Sequence, residues 1–223
     1  LLSSLLLSLL MGLNASAEQE IRLDLEENGG LFLPEGFEAE ALVNRLDGQV
    51  RHIAVNDNGD VYVKLREAHE DYGNAVLRDT DGDGRSDDIK YFAKYPIYGR
   101  YGTAMRIHKG YLYFSSQKTV YRQKLGSGEM VPESELEEIV IDPNEPPARE
   151  HVGKPIAFDN EGHLFVPFGA PSNACQDPKR TPGQPGVDPC HQLDTYGGIW
   201  RFDAETPQQS QEDGVLFSTG IRS

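Results

Sequence analysis

A phrase made of strand, tight turn and strand recurs three times along this chain of 223 residues. Residues 53–63 read Ile-Ala-Val-Asn-Asp-Asn-Gly-Asp-Val-Tyr-Val, and residues 156–166 read Ile-Ala-Phe-Asp-Asn-Glu-Gly-His-Leu-Phe-Val. Residues 105–114 are one residue shorter and turn at Lys109 and Gly110. Apolar runs around an Asn/Asp/Gly turn are the signature of a β-hairpin. A third apolar stretch follows each copy, at Val76, Val120 and Ile199, and a fourth at Ile89, Ile139 and Val215. Four strands per repeat, recurring about every 50 residues, predict an all-β fold: a β-propeller of four-stranded antiparallel blades. Three blades do not close a ring, which takes about four to eight. The chain is therefore expected to cover about the first half of a larger propeller.

The organisation predicted along the chain has three parts. Residues 1–13 are an uncharged Leu/Ser-rich run, and Ala15, Ser16 and Ala17 supply small residues in an A-x-A arrangement. That matches the apolar core and cleavage site of a secretory signal peptide over 1–17, and the run is too short to span a bilayer. Residues 18–44 read as a lead-in with a strand near 38–43, and 45–223 as the N-terminal part of the propeller. The expected location is secreted or periplasmic, with no stable membrane insertion. A formal charge of −15 argues against a nucleic-acid partner, since binding phosphates requires clustered Lys and Arg.

Export places the two cysteines, Cys175 and Cys190, in an oxidising compartment, so a disulfide is expected between them. They bracket a Pro/Gly/Asp-rich loop with little apolar surface to order it. Closing a loop of about 15 residues contributes roughly 3 kcal/mol by chain entropy.

Blade topology turns chain order into position. With strands A to D alternating in direction, the loops from D to the next A share one end with the B-to-C loops. Arg100 and His151 occupy equivalent D-to-A positions, Glu150 is adjacent, and Arg222 follows the third D strand. The disulfide loop, a B-to-C connection, would roof them. A His beside a carboxylate, flanked by two Arg, suits oxidation or hydrolysis of an oxygen-rich substrate.

Residues 79–88 place carboxylates at alternating positions followed by a turn glycine, as in the first half of an EF-hand loop. Asp79, Asp81, Asp83, Arg85, Asp87 and Asp88 are the ligand positions expected for Ca²⁺. The twelfth position is Lys90 rather than Glu, so Asp87 or Asp88 must substitute. The loop joins strands C and D, at the end away from His151, which implies a structural role.

His151-Val-Gly153, then Phe158, residues 162–166 and Gly169, and finally Thr219-Gly-Ile-Arg222, resemble the glucose/sorbosone dehydrogenase family. Within it, Gly169 to Cys175 are most similar to the sorbosone dehydrogenase branch. The resemblance spans roughly residue 33 to the end. It implies a six-bladed propeller using pyrroloquinoline quinone and Ca²⁺ to oxidise an aldose or related sugar aldehyde, with electrons passed to an external acceptor. His151 would match the general base, taking the substrate hydroxyl proton while hydride passes to the quinone. Arg222 would match an Arg contacting the quinone. Arg100 and Glu150 would face the substrate. Arg100 stands where glucose enzymes carry Gln, so their sugar preference does not transfer. Two alternatives are a non-catalytic glycan- or protein-binding propeller and a metal-dependent lactonase, because fold does not fix function.

Overall fold

The computed structural model describes residues 31–96, 103–143 and 151–222. The chain divides into two compact units, Leu1–Ala41 and Leu42–Ser223. The described part of the first contains no strand and makes one turn, with Phe37 N–H donating to the Pro34 carbonyl. The predicted 1–17 segment lies outside the described residues.

The second unit holds twelve strands in three four-stranded antiparallel sheets. The first contains β1 (Gln49–Val55), β2 (Val61–His69), β3 (Tyr72–Arg78) and β4 (Asp88–Lys94). The second contains β5 (Met105–His108), β6 (Tyr111–Ser115), β7 (Thr119–Lys124) and β8 (Glu137–Ile141). The third contains β9 (Ala157–Phe158), β10 (His163–Phe168), β11 (Gly198–Asp203) and β12 (Val215–Thr219). Each sheet is a simple meander, and together they are the propeller blades anticipated from the repeats. The β5–β6 turn uses Lys109 and Gly110, both at positive φ, which matches the right-handed twist of the flanking strands. Strand β9 is only two residues long, because Pro155 just before it has no N–H to donate to a ladder.

Strand alternation explains how the blades stack. In β6, Leu112 and Phe114 point into a cluster with Tyr62, Val76 and Phe92 of the first blade. Tyr113 points the other way, to Leu164, Val166, Trp200 and Phe202 of the third. The middle blade is covered on both faces, and β6, reading Tyr-Leu-Tyr-Phe-Ser, accordingly has bulky side chains on both sides rather than at every second residue. Each fully buried Leu, Val or Phe contributes roughly 1.5–3 kcal/mol. The polar tips in these layers are satisfied across blades: the Tyr62 hydroxyl donates to the Met130 carbonyl at 3.1 Å, and that of Tyr113 to the Ala204 carbonyl at 2.8 Å.

The expected strand at 38–43 is absent. Leu42, Val43 and Leu46 instead cap the other face of the first blade, over Val63, Leu65, Ala75 and Leu77. The edge of β8 is also covered: Ile141 N–H donates to the Gln209 carbonyl and Gln209 N–H to that of Ile139. A segment of the third blade thus pairs with an otherwise open edge.

Two lysines are buried between blades. Lys64 donates to the carbonyls of Leu65 (2.8 Å) and Gly73 (3.3 Å), and burial pushes its ammonium down to about 7. Lys154 is paired instead with Asp142, Nζ to Oδ2 at 2.8 Å, with side chains 1% and 0% exposed.

Candidate functional site

The D-to-A and B-to-C connections gather at one end of the blades, and His151 lies there on the connection from β8 to β9. The Lys154–Asp142 pair anchors this connection. Lys154 N–H donates to Thr103 Oγ1 at 2.6 Å, Ser115 Oγ donates to the Lys154 carbonyl at 2.9 Å, and Asp142 N–H donates to the Lys118 carbonyl at 2.7 Å. The Lys154 ammonium also sits 4.3 Å from the Phe168 ring centre. Every polar group of this buried link therefore has a partner, and three residues earlier it delivers His151.

A second contact fixes His151 from the other side. Gly169, the first residue after β10, lies so close that a Cβ there would collide with the His151 carbonyl oxygen, and would come 2.8 Å from its carbon and 2.9 Å from its Cβ. The need for glycine comes from this approach, since its φ is not in the left-handed region.

The long β10–β11 loop then folds over the site. Cys175 and Cys190 form the expected disulfide, with Cα atoms 6.0 Å apart. Ser172 Oγ donates to Gln192 Oε1 at 2.7 Å and accepts from Cys175 N–H at 3.0 Å. These bonds and the disulfide order a loop with little apolar surface. Asn173 Oδ1 lies 2.9 Å from His151 Nε2. With the amide oxygen facing the ring, Nε2 donates and the basic lone pair lies on Nδ1.

Arg222 comes to the same place from β12. Ile221 N–H donates to the Gly197 carbonyl at 2.9 Å, and Ala170 N–H donates to that of Arg222 at 2.8 Å. Arg222, Ser172, Asn173 and Gln192 line a cavity of 220 Å³ beside the disulfide. Asn173, which contacts His151, and Arg222 thus line one cavity, while His151 itself is not among the lining residues. Arg100 and Glu150 lie outside the described residues. In the sequence, Asn173 stands out only as part of the stretch from Gly169 to Cys175. Nothing in residue spacing marks it as the partner of His151, 22 positions away.

The acidic loop lies at the opposite end of the first blade. Oxygens of Asp79, Asp81 and Asp87 lie within 4.8 Å of one another. Hydrogen bonds from Gly84 and Gly82 N–H hold the Asp79 carboxyl below its usual range, and the Thr80 hydroxyl and N–H do the same for Asp87. Asp83 accepts from Arg85 N–H at 2.8 Å, and Asp88, in β4, faces Lys90 at 3.2 Å. Three of the six expected positions converge. A second group, Asp159, Glu161 and His163, lies on the β9–β10 turn, with His163 Nδ1 2.7 Å from Asp159 Oδ2.

No family profile and no curated protein matches the sequence. Among solved structures, the chain is similar to the PQQ domain of pyranose dehydrogenase from Coprinopsis cinerea, solved in its holo form. The TM-score is 0.62 at 15% identity, over 83% of this chain and 42% of that one. A calcium structure of the Trichoderma reesei Carbohydrate-Active Enzymes Family AA12 protein gives 0.55 at 15% identity, over 78% and 41%. Its iodide structure gives 0.56 at 16% identity, over 79% and 41%. The chain therefore spans less than half the length of these three structures, and what it shares with them is the all-β fold of four-stranded antiparallel blades.

Proposed function

We propose that this chain supplies one side of a quinone-dependent site that oxidises an aldose or related sugar aldehyde. The observation that carries the reading is that Asn173, whose amide oxygen faces the His151 ring, lines one cavity with Arg222 beside the disulfide, in a fold shared with a PQQ domain. The donor set suits one edge of pyrroloquinoline quinone: the Arg222 guanidinium complements a carboxylate or quinone oxygen, while Ser172, Asn173 and Gln192 offer neutral hydrogen-bonding groups. When bound, such a cofactor supplies a hydride acceptor. His151 is the base that takes the substrate hydroxyl proton, and Asn173 sets its tautomer and ring orientation. Arg100 and Glu150 are assigned to the substrate side, and an external acceptor reoxidises the cofactor. The disulfide supports a secreted or periplasmic location. Among the described residues, no helix is long and apolar enough to cross a membrane.

The test is a titration of the protein with the quinone in Ca²⁺, followed by a panel of aldoses. A bound-quinone spectrum that bleaches on sugar addition is expected. No quinone binding by a folded, calcium-loaded protein shifts the reading to a glycan-binding propeller, with lactone hydrolysis assayed next. Bleaching that persists in His151→Ala removes His151 as the base.

The Asp79, Asp81 and Asp87 group is assigned to Ca²⁺, in a structural role. Hard Ca²⁺ takes several oxygens at once, and the three carboxylates already converge. Calcium should raise the melting temperature of the wild type but not of Asp81→Asn, with sugar oxidation retained in both. An inactive Asp81→Asn protein that is still stabilised by calcium contradicts this assignment.

A further inference from the structure

A second cavity, of 610 Å³, lies at the outer edge where the second and third blades meet. It is separate from the His151 site but shares a wall with it. The segment that places Gln192 and Leu193 in the 220 Å³ cavity continues into Asp194, Thr195 and Tyr196, which line the larger one. Its volume is in the range of small-molecule sites, about 300–1,000 Å³.

The lining joins three kinds of chemistry. Trp200, Leu216 and Pro143 give an apolar floor. Trp200 is only 7% exposed and is held edge-on by the Phe168 ring at 5.3 Å, so this wall is rigid. Asp194 and Glu212 add carboxylates, and Ser210 a hydroxyl, at the rim. One end is closed by Gln211, whose amide donates to the Thr195 carbonyl. Among the described residues, no Lys, Arg or His lines the cleft and two carboxylates do, of which Asp194 lies 3.7 Å from His191 Nδ1.

That combination repels anions and leaves a purely apolar ligand with unpaired polar groups beneath it. It suits a ligand with C–H faces and many hydroxyls. We propose that the cleft is a binding subsite for a neutral oligosaccharide: a sugar C–H face lies against Trp200 and Leu216, and hydroxyls donate to Asp194 and Glu212. The choice of a sugar among neutral polyhydroxylated ligands rests on the function proposed above. The subsite would let the protein hold its carbohydrate at a place distinct from the reacting hydroxyl.

Trp200 is the single tryptophan of this chain, so its emission reports on the cleft directly. The probe is methyl β-cellobioside, added without quinone; its anomeric carbon is blocked, so nothing is oxidised there. A saturable change in Trp200 emission is expected. It should be retained in His151→Ala and weakened about tenfold in Asp194→Asn/Glu212→Gln, the scale of a lost hydrogen bond to a charged group. Both of these carboxylates lie at the rim, so folding should survive their replacement, and circular dichroism checks this. An absent response, or one lost in His151→Ala yet kept in the double variant, overturns the proposal. Failure of the dehydrogenase reading would be seen separately, in the quinone titration.

Discussion

Asp142→Ala is expected to lower unfolding stability by about 3–5 kcal/mol, the cost of leaving a buried charge without its partner. The Lys154 ammonium is 1% exposed and pairs with Asp142 at 2.8 Å, so water cannot replace the lost carboxylate. The ammonium also lies 4.3 Å from the Phe168 ring centre, a contact that carries no full compensating charge. The double replacement Lys154→Met/Asp142→Leu should recover most of the loss, because the charge and its counter-charge leave together. Urea unfolding of the three proteins decides the matter. A single variant that loses under 1 kcal/mol, or a double variant no better than the single, would show that the pair does not hold this connection. The same pair anchors the chain three residues from His151, so its stability and the geometry of the site are linked.

Gly169→Ala should reduce sugar oxidation about 100-fold, the scale expected when a reacting group is displaced by around 1 Å. The added methyl would meet the His151 carbonyl oxygen, its carbon at 2.8 Å and its Cβ at 2.9 Å. Two of these atoms are main chain, so no flexible tip can swing aside, and either His151 or the end of β10 must move. The effect should fall on kcat if His151 moves, and on quinone affinity as well if the end of β10 moves, because Ala170 N–H holds the Arg222 carbonyl at 2.8 Å. A shifted His151 imidazole resonance, from loss of the 2.9 Å contact with Asn173, provides a readout that does not depend on activity. Unchanged turnover in Gly169→Ala would mean that the close approach does not position the base.

The hairpin phrases placed most of the strands because their physics is local. Alternation and Asn/Asp/Gly turns act within about ten residues, and β1–β2, β5–β6 and β9–β10 form where those residues predict them. The lead-in was misread because apolar residues at 38–43 are as compatible with a strand as with a cap. Only the bare face of the first blade, offering Val63, Leu65, Ala75 and Leu77, draws Leu42 and Val43 into packing instead. The acidic loop was half legible: alternating Asp spacing brings Asp79, Asp81 and Asp87 together, while β4 pairing orients Asp88 toward Lys90.

By itself, then, the order of residues determined the blades, the turns between their strands, the disulfide and the end of the fold at which His151 and Arg222 emerge. The disulfide follows from the exported compartment, and the others from short-range periodicity, turn chemistry or the alternation of strand direction. Tertiary structure alone decided that Asn173 meets His151, that Asp142 rather than a surface group neutralises Lys154, and that Gly169 presses on the His151 backbone. Those pairings join residues 12 to 22 positions apart, within the β8–β9 connection or between it and the segment after β10. They exist because stacked blades bring loop ends together and exclude water, so that each buried polar group must find a partner there.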